Sequence, residues 1–138
     1  MTTDHQQTPV VLPNGVQWTV EAERQRERRG HDFYPSPAVL ATIPPLYATE
    51  ETTAPEKILH LHYFVGGSDW YVTEIDPESG ISFGWAEVTP GGGEWGYTSL
   101  PELEQINVHH GLVIVERDLD WTPTAASAVR GPDGNPRA

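Results

Sequence analysis

The clearest pattern in the chain is an alternation of apolar and polar residues between residues 57 and 98. In residues 57–65 apolar side chains recur at every second position, as expected for a strand with one buried face. Turns rich in glycine and proline divide the following residues into segments that are rich in aromatic and β-branched side chains. With a final apolar segment, the pattern predicts five strands, at residues 57–65, 70–76, 81–88, 94–98 and 112–121.

Two short helices are predicted from residues that start and stop helices. The SP pair at residues 36–37 is a favourable helix start, and the PP pair at residues 44–45 ends that helix. The SLPE sequence at residues 99–102 is a capping box, in which the side chains of Ser99 and Glu102 accept hydrogen bonds from each other's backbone N–H. Strands joined by tight turns, with these helices, predict an α+β domain with a mainly antiparallel sheet of about five strands and two short helices.

Apolar residues are sparse at both ends of the chain. Residues 1–32 contain the charged run RQRERR and several proline and glycine breakers, so they are predicted to form a flexible, charged N-terminal segment. Residues 125–138 are mostly small or turn-forming and predict a disordered C-terminal tail. A single α+β domain is therefore predicted over residues 33–124, a size typical of one domain.

The composition excludes several classes of protein. The chain contains no cysteine, which excludes a disulfide scaffold, a zinc ribbon and thiol catalysis. No window approaches the roughly 18 apolar residues of a membrane span, and the first residues lack the features of a secretory signal. We therefore expect a soluble, cytoplasmic protein that does not interact with membranes.

The net charge of −12 is carried by the predicted domain. Residues 33–124 contain fourteen carboxylates against only Lys57 and Arg117, while the charges of the two ends nearly cancel. Nucleic-acid binding depends on clustered lysine and arginine to neutralise phosphate, so direct binding to nucleic acid is not expected. Such acidity either keeps a small protein soluble or attracts a protein partner with a basic surface.

Five carboxylates are the candidate residues for such a partner-binding surface. Glu116, Asp118 and Asp120 alternate along the last predicted strand, and Glu74 and Asp76 share a face of the second. We predict that these five residues contact the partner. In an alternative arrangement the two strands are adjacent, and the clustered carboxylates hold Mg²⁺ or Mn²⁺ for a nuclease-type reaction.

Histidines and arginines suggest two further kinds of site, a zinc site and a basic arm. His60 and His62 share a strand face, and His109 and His110 precede the last strand, so zinc would find enough ligands if these segments meet. Exposed histidines on a half-buried strand are the simpler interpretation, and we expect neither a metal nor another cofactor. The arginines of residues 24–29 suggest a basic arm that touches nucleic acid, but the net charge of the N-terminal segment favours a solvated helix or tail.

Several motifs of the domain resemble a known family. They are PPLYATE at residues 44–50, DWYVTEID at 69–76, FGWAEV at 83–88, EWGYTSLPELE at 94–104 and GLVIVERDLDWTP at 111–123. Together they resemble a small bacterial domain family of unknown function that is carried by plasmids, phages and other mobile elements, often near DNA-transfer and antirestriction genes. The resemblance implies no catalytic residue, and the histidines do not belong to its pattern.

Charge and resemblance together favour a non-enzymatic accessory protein of a mobile element. We expect it to bind a partner through its acidic surface or to imitate the charge of nucleic acid, in a role of the antirestriction or anti-defence type. One alternative is a metal-dependent enzyme on single-stranded nucleic acid that uses Glu74, Asp76, Glu116 and Asp118. The other is a small nucleic-acid-binding module that acts through its N-terminal arginines.

Overall fold

The computed structural model describes residues 10–110 and 112–129. Its strands are β1 (Val10–Val11), β2 (Gln17–Trp18), β3 (Ile58–Leu59), β4 (Leu61–Val65), β5 (Ser68–Val72), β6 (Glu74–Ile75), β7 (Ile81–Glu87), β8 (Glu94–Ser99), β9 (Glu116–Arg117) and β10 (Thr124–Ala125). Its helices are α1 (Arg26–Arg29), α2 (Pro37–Leu40) and α3 (Leu100–Gln105), with 3₁₀ turns at Ala54–Glu56 and Ala126–Ala128. Within these residues, no helix has the length and apolar content needed to cross a membrane.

A six-stranded antiparallel sheet forms the centre of the protein. Its strands lie in the order β6-β7-β5-β4-β9, and β8 pairs with β7. Consecutive hairpins build most of it, since β4 pairs with the whole of β5 and every residue of β8 pairs with a residue of β7. The α+β class and the mainly antiparallel sheet are confirmed, with three short helices instead of two in the described part of the chain.

Two of the predicted strands are interrupted. Residues 57–65 contain β3 and β4, which are separated at His60, and residues 70–76 contain parts of β5 and β6, which are separated at Thr73. β3 pairs with β10 and not with the central sheet. The N–H of His60 still donates to the carbonyl of Val72 at 2.7 Å, so backbone hydrogen bonding continues across the break in the first segment.

The last predicted strand, residues 112–121, is reduced to the two residues of β9. Its beginning forms only an isolated bridge between Val113 and Val108. Its end turns because the Asp118 side chain accepts a hydrogen bond from the backbone N–H of Asp120, a contact that aspartate commonly makes in turns. Asp118 and Asp120 therefore do not alternate along a strand.

Residues 10–34 are part of the core, in contrast to the flexible N-terminal segment predicted from the sequence. β1 and β2 form a hairpin, and Leu12, Trp18 and Val20 are buried in the same apolar cluster as Tyr63 of β4. The low apolar content of the segment predicts flexibility, but a few large buried side chains are enough to hold the segment in a defined position. The hydrophobic area that they bury offsets the entropy lost on ordering the chain.

A buried ion network fastens this N-terminal segment to the rest of the protein. The Nη1 atom of Arg29 lies 3.2 Å from Glu104 Oε2 and 3.6 Å from Glu23 Oε1. The Nε atom of Arg29 donates to the carbonyl of Val115, and Glu104 also accepts hydrogen bonds from the backbone N–H of Arg24. The network therefore joins α1 to α3 and to the residues before β9.

The C-terminal boundary of the domain also differs from the prediction. Ala126 and Val129, assigned to a disordered tail, are buried in a second apolar cluster with Leu59 of β3. Residues 1–9 and 130–138 lie outside the described residues, so the predictions made for them stay predictions.

Candidate functional site

An aromatic pocket forms where residues 47–57 meet β7 and β8. Its cavity of about 380 Å³ is lined by Tyr47, Glu50, Lys57, Glu74, Phe83 and Tyr97. The ring centroid of Tyr97 lies 5.1 Å from that of Phe83 and 6.3 Å from that of Tyr47. Although they contact each other, Tyr47 and Tyr97 remain 58% and 56% exposed. Two large aromatic side chains therefore stand at the mouth of a cavity, within reach of a ligand.

The backbone of Tyr47 is held in an uncommon conformation. Its φ angle is 72°, in the left-handed region that a bulky residue rarely adopts. Glu74, which is only 3% exposed, supports this turn: one carboxylate oxygen accepts a hydrogen bond of 2.7 Å from the Tyr47 N–H. The other accepts from the N–H and the hydroxyl of Thr49. Glu74 thus stabilises the strained turn that presents the Tyr47 ring.

Lys57 closes the inner side of the pocket. Its Nζ donates to the carbonyl oxygen of Thr49 at 2.6 Å and to the Thr49 hydroxyl at 3.0 Å. The same atom lies 5.7 Å from the ring centroid of Phe83, within the range of a cation–π contact. The Thr49 hydroxyl joins Lys57 to Glu74, so the charges of these two buried side chains offset each other.

The mouth of the pocket is negatively charged. Glu50 lines it, and Glu51 and Glu56 are exposed on the same chain segment. Partial desolvation, the nearby Tyr47 hydroxyl and the neighbouring carboxylates raise the pKa of Tyr97 above its ordinary value. Among the charged residues that line the cavity, Glu50 and Glu74 are acidic and Lys57 is basic, so the lining carries a net negative charge that favours a cationic ligand.

Glu74 and Asp76, two of the five predicted partner-binding carboxylates, have structural partners instead. Glu74 lies beneath the pocket and is inaccessible to a macromolecule. Asp76 follows β6 and accepts a hydrogen bond of 2.6 Å from the Ser79 hydroxyl, which lowers the pKa of Asp76. Glu74 therefore supports the turn at Tyr47 from inside the protein, and Asp76 stabilises the turn that follows β6.

Glu116, Asp118 and Asp120 lie at the other edge of the sheet, because β6 and β9 are the two ends of its main strand order. Glu116 Oε1 is 2.6 Å from His31 Nε2, and Asp118 Oδ2 is 3.0 Å from His62 Nδ1, whereas Asp120 is exposed. The five predicted carboxylates therefore do not form one surface. The strand adjacency that a nuclease-type metal site requires is likewise missing from the described residues.

His62 lies between two carboxylates. Its Nε2 is 2.7 Å from Asp69 Oδ1, its Nδ1 is 3.0 Å from Asp118 Oδ2, and its ring stacks on Tyr71 with centroids 4.6 Å apart. Each ring nitrogen of His62 therefore lies within hydrogen-bond distance of a carboxylate oxygen. Sequence spacing pairs His62 with His60, whereas the strand register brings it to Asp69.

We expect His62→Phe to destabilise the protein by about 1–3 kcal/mol, because it keeps the stack on Tyr71 but leaves two half-buried carboxylates without their donor. Chemical denaturation measures the free energy of unfolding. The same substitution in an Asp69→Asn, Asp118→Asn background should cost less, since no charge is then left unpaired. Equal costs in both backgrounds would show that His62 acts through packing alone.

The other three candidate zinc ligands, His60, His109 and His110, do not join His62 in a metal site. Partial burial lowers the pKa of His60 below its ordinary value. His109 and His110 both adopt left-handed backbone conformations in an exposed turn. Across residues 10–110 and 112–129, no group of three or more histidine, aspartate or glutamate side chains has the geometry to hold a metal ion.

The arginines of residues 24–29 do not form a free basic arm in the structure. Arg24 Nη2 lies 3.5 Å from Glu21 Oε2, and Arg26 Nε lies 2.7 Å from Asp32 Oδ1. The last arginine of the run is the buried centre of the ion network described above. These three side chains are engaged with carboxylates of the protein itself, whereas Arg28 is exposed and donates to the carbonyl of His110. Most of the charge of the run is therefore not available to phosphate.

The fold and the pocket define a small α+β domain with an acidic, aromatic-lined cavity. Residues 38–129 match the model of the family described as Protein of unknown function (DUF2958), and the chain belongs to this family. All the residues that line the pocket fall within the match, whereas the buried N-terminal segment, residues 10–34, precedes it. No curated protein and no solved structure matches the chain.

Proposed function

We propose that this protein is a non-enzymatic accessory protein of a mobile element that binds a protein partner with a basic surface. The observation that carries the proposal is the pocket mouth, where the exposed rings of Tyr47 and Tyr97 line the cavity together with the exposed carboxylate of Glu50. Exposed aromatic side chains at a concave site are typical of binding surfaces. The resemblance of the chain's motifs to a family carried by mobile elements supports the mobile-element setting.

The distribution of charge supports a basic partner. Of the fourteen carboxylates in residues 33–124, seven are exposed: Glu50, Glu51, Glu56, Glu78, Glu94, Glu102 and Asp120. Both cationic side chains of that region donate hydrogen bonds within the protein: Lys57 donates to the carbonyl of Thr49, and Arg117 donates to the carbonyl of Asp32. Such a surface attracts a basic protein and repels nucleic-acid phosphate. A protein that itself binds nucleic acid offers a basic surface of this kind, which fits an antirestriction type of role.

Charge reversal at the pocket tests the proposal. The partner is first captured from an extract of the native host, identified by mass spectrometry and purified. Its association rate with the wild-type chain should then fall at least tenfold between about 0.1 M and 1 M salt, as the Debye length shrinks from ~10 Å to ~3 Å. Glu50→Lys with Glu51→Lys should reduce capture to near background, because it reverses the charge beside Tyr47 on exposed side chains.

The matched control is Glu27→Lys with Glu78→Lys, which changes the net charge equally but lies on α1 and on the turn after β6. Reversal of Asp118 is unsuitable, because it would disrupt the contact with His62. Capture that is insensitive to salt, or that both double variants weaken equally, would contradict the proposed surface. Tight DNA binding by the wild-type chain at physiological salt would contradict the proposed class of partner.

A further inference from the structure

We propose that the pocket binds a single arginine side chain, with the guanidinium group against the rings of Tyr47 and Tyr97 and beside the Glu50 carboxylate. The assignment of that arginine to a protein partner rests on the function proposed above. The chemistry of recognition depends only on the residues that line the cavity.

The exposed tyrosines are the first reason. Packing alone would bury these rings, yet more than half of the surface of each is open to solvent. Tyr47 also keeps a left-handed backbone conformation, which its hydrogen bond to buried Glu74 supports. Backbone strain that is supported in this way is characteristic of sites that are organised in advance for a ligand.

The charge of the pocket is the second reason. Lys57 and Glu74 offset each other through the Thr49 hydroxyl, which leaves Glu50 as the unbalanced charge among the lining residues. An anionic ligand would meet Glu50 at the mouth before it reached the partly satisfied amine of Lys57. A cation is attracted both by this carboxylate and by the electron-rich faces of the tyrosine rings.

The shape of the site favours arginine over lysine. A guanidinium group is planar, so it can stack on one aromatic face while its edge donates two parallel hydrogen bonds to a carboxylate. It is also more weakly hydrated than an ammonium group, and so loses less on leaving water. Tyr47, Tyr97 and Glu50 supply the aromatic faces and the carboxylate at one cavity mouth.

The probe for the experiment is N-acetyl-arginine amide, titrated into the full-length protein and followed by NMR. We expect shifts of the Tyr47, Phe83 and Tyr97 resonances that saturate with a dissociation constant on the order of millimolar, as suits a ligand of this size. The citrulline analogue has the same shape without the charge and should leave these resonances unmoved. The lysine analogue should bind severalfold more weakly.

Variants of the two tyrosines locate the site. Tyr47→Asn accepts the left-handed backbone, and Tyr97→Thr suits an exposed strand, so both preserve the fold. Together they should raise the dissociation constant of the arginine probe about tenfold. Tyr97→Phe keeps the aromatic face and should bind like the wild type. Leu119→Thr, at another exposed apolar position, is the matched control and should change nothing.

The outcomes separate this inference from the proposed function. Saturable arginine binding that the tyrosine variants weaken supports the pocket assignment even if no basic partner is captured. Salt-dependent capture of a partner, without any shift on addition of the arginine probe, would overturn the pocket assignment and leave the proposed function standing. Equal binding of the citrulline or lysine analogue would overturn the assignment to a guanidinium group.

Discussion

Replacement of Arg29 by methionine should destabilise the protein by about 3–5 kcal/mol and lower its melting temperature by more than about 10 °C. The Arg29 side chain is fully buried, and its guanidinium group lies within 3.6 Å of carboxylate oxygens of both Glu104 and Glu23. Methionine fills a similar volume but leaves these carboxylates without a cation and the Val115 carbonyl without its donor. A buried charge that loses its partner bears the full cost of desolvation.

The neighbouring substitution Arg28→Met provides the control, because Arg28 is exposed and its side chain donates to the carbonyl of His110. It should change the free energy of unfolding by no more than about 0.5 kcal/mol. Addition of Glu104→Gln to Arg29→Met removes one orphaned charge and should recover part of the loss. Thermal and chemical denaturation of the wild type and these three variants measures the free energies of unfolding that decide between the alternatives. A similar small loss for both arginine variants would show that the network contributes little.

Gly84→Ala should cost about 3 kcal/mol or more, although it adds only one methyl group. A Cβ atom at Gly84 would lie 1.8 Å from the carbonyl oxygen of Tyr71 and 2.8 Å from its carbonyl carbon. Both atoms belong to the backbone of β5, so no side-chain rotation can relieve the clash. The strands β5 and β7 would have to separate at the centre of the sheet.

Gly96→Ala is the matched control, since Gly96 of β8 is paired directly with Gly84 of β7. A Cβ atom at Gly96 would meet no atom within 4 Å. That substitution should be neutral or stabilise the protein by about 0.5 kcal/mol, because alanine restricts the unfolded chain more than glycine does. Urea denaturation gives both free energies of unfolding. Equal effects of the two substitutions would show that β5 and β7 approach each other less closely than described.

Much of the central sheet and two helix starts can be predicted from the sequence, because they depend on interactions between nearby residues. Alternation within β4 and β7 and the turns between them follow from local side-chain chemistry. The helix caps are equally local: the Ser36 side chain accepts from the N–H of Val39, and the Ser99 side chain accepts from the N–H of Glu102. These contacts span three residues and need no knowledge of the fold.

The order of the N-terminal segment could not be predicted in the same way. Its residues 10–34 contain few apolar side chains, and their burial depends on partners far along the chain. Arg29 and Glu104 are 75 residues apart, and each alone is typical of an exposed charge. Only the tertiary structure brings them together in a buried site, where the charge of each offsets the desolvation cost of burying the other.

The sequence by itself therefore determined the class of fold, the hairpins, the helix caps and the excess of acidic residues in the domain. The tertiary structure decided which of these carboxylates are exposed and where a cavity lies. Glu74 was predicted to contact a partner but lies under Tyr47, while Tyr97 approaches Tyr47 across 50 positions of the chain. The physical reason is that strand order and register determine which residues are buried and which lie close together. They bring together residues whose separation in the sequence gives no indication of the contact.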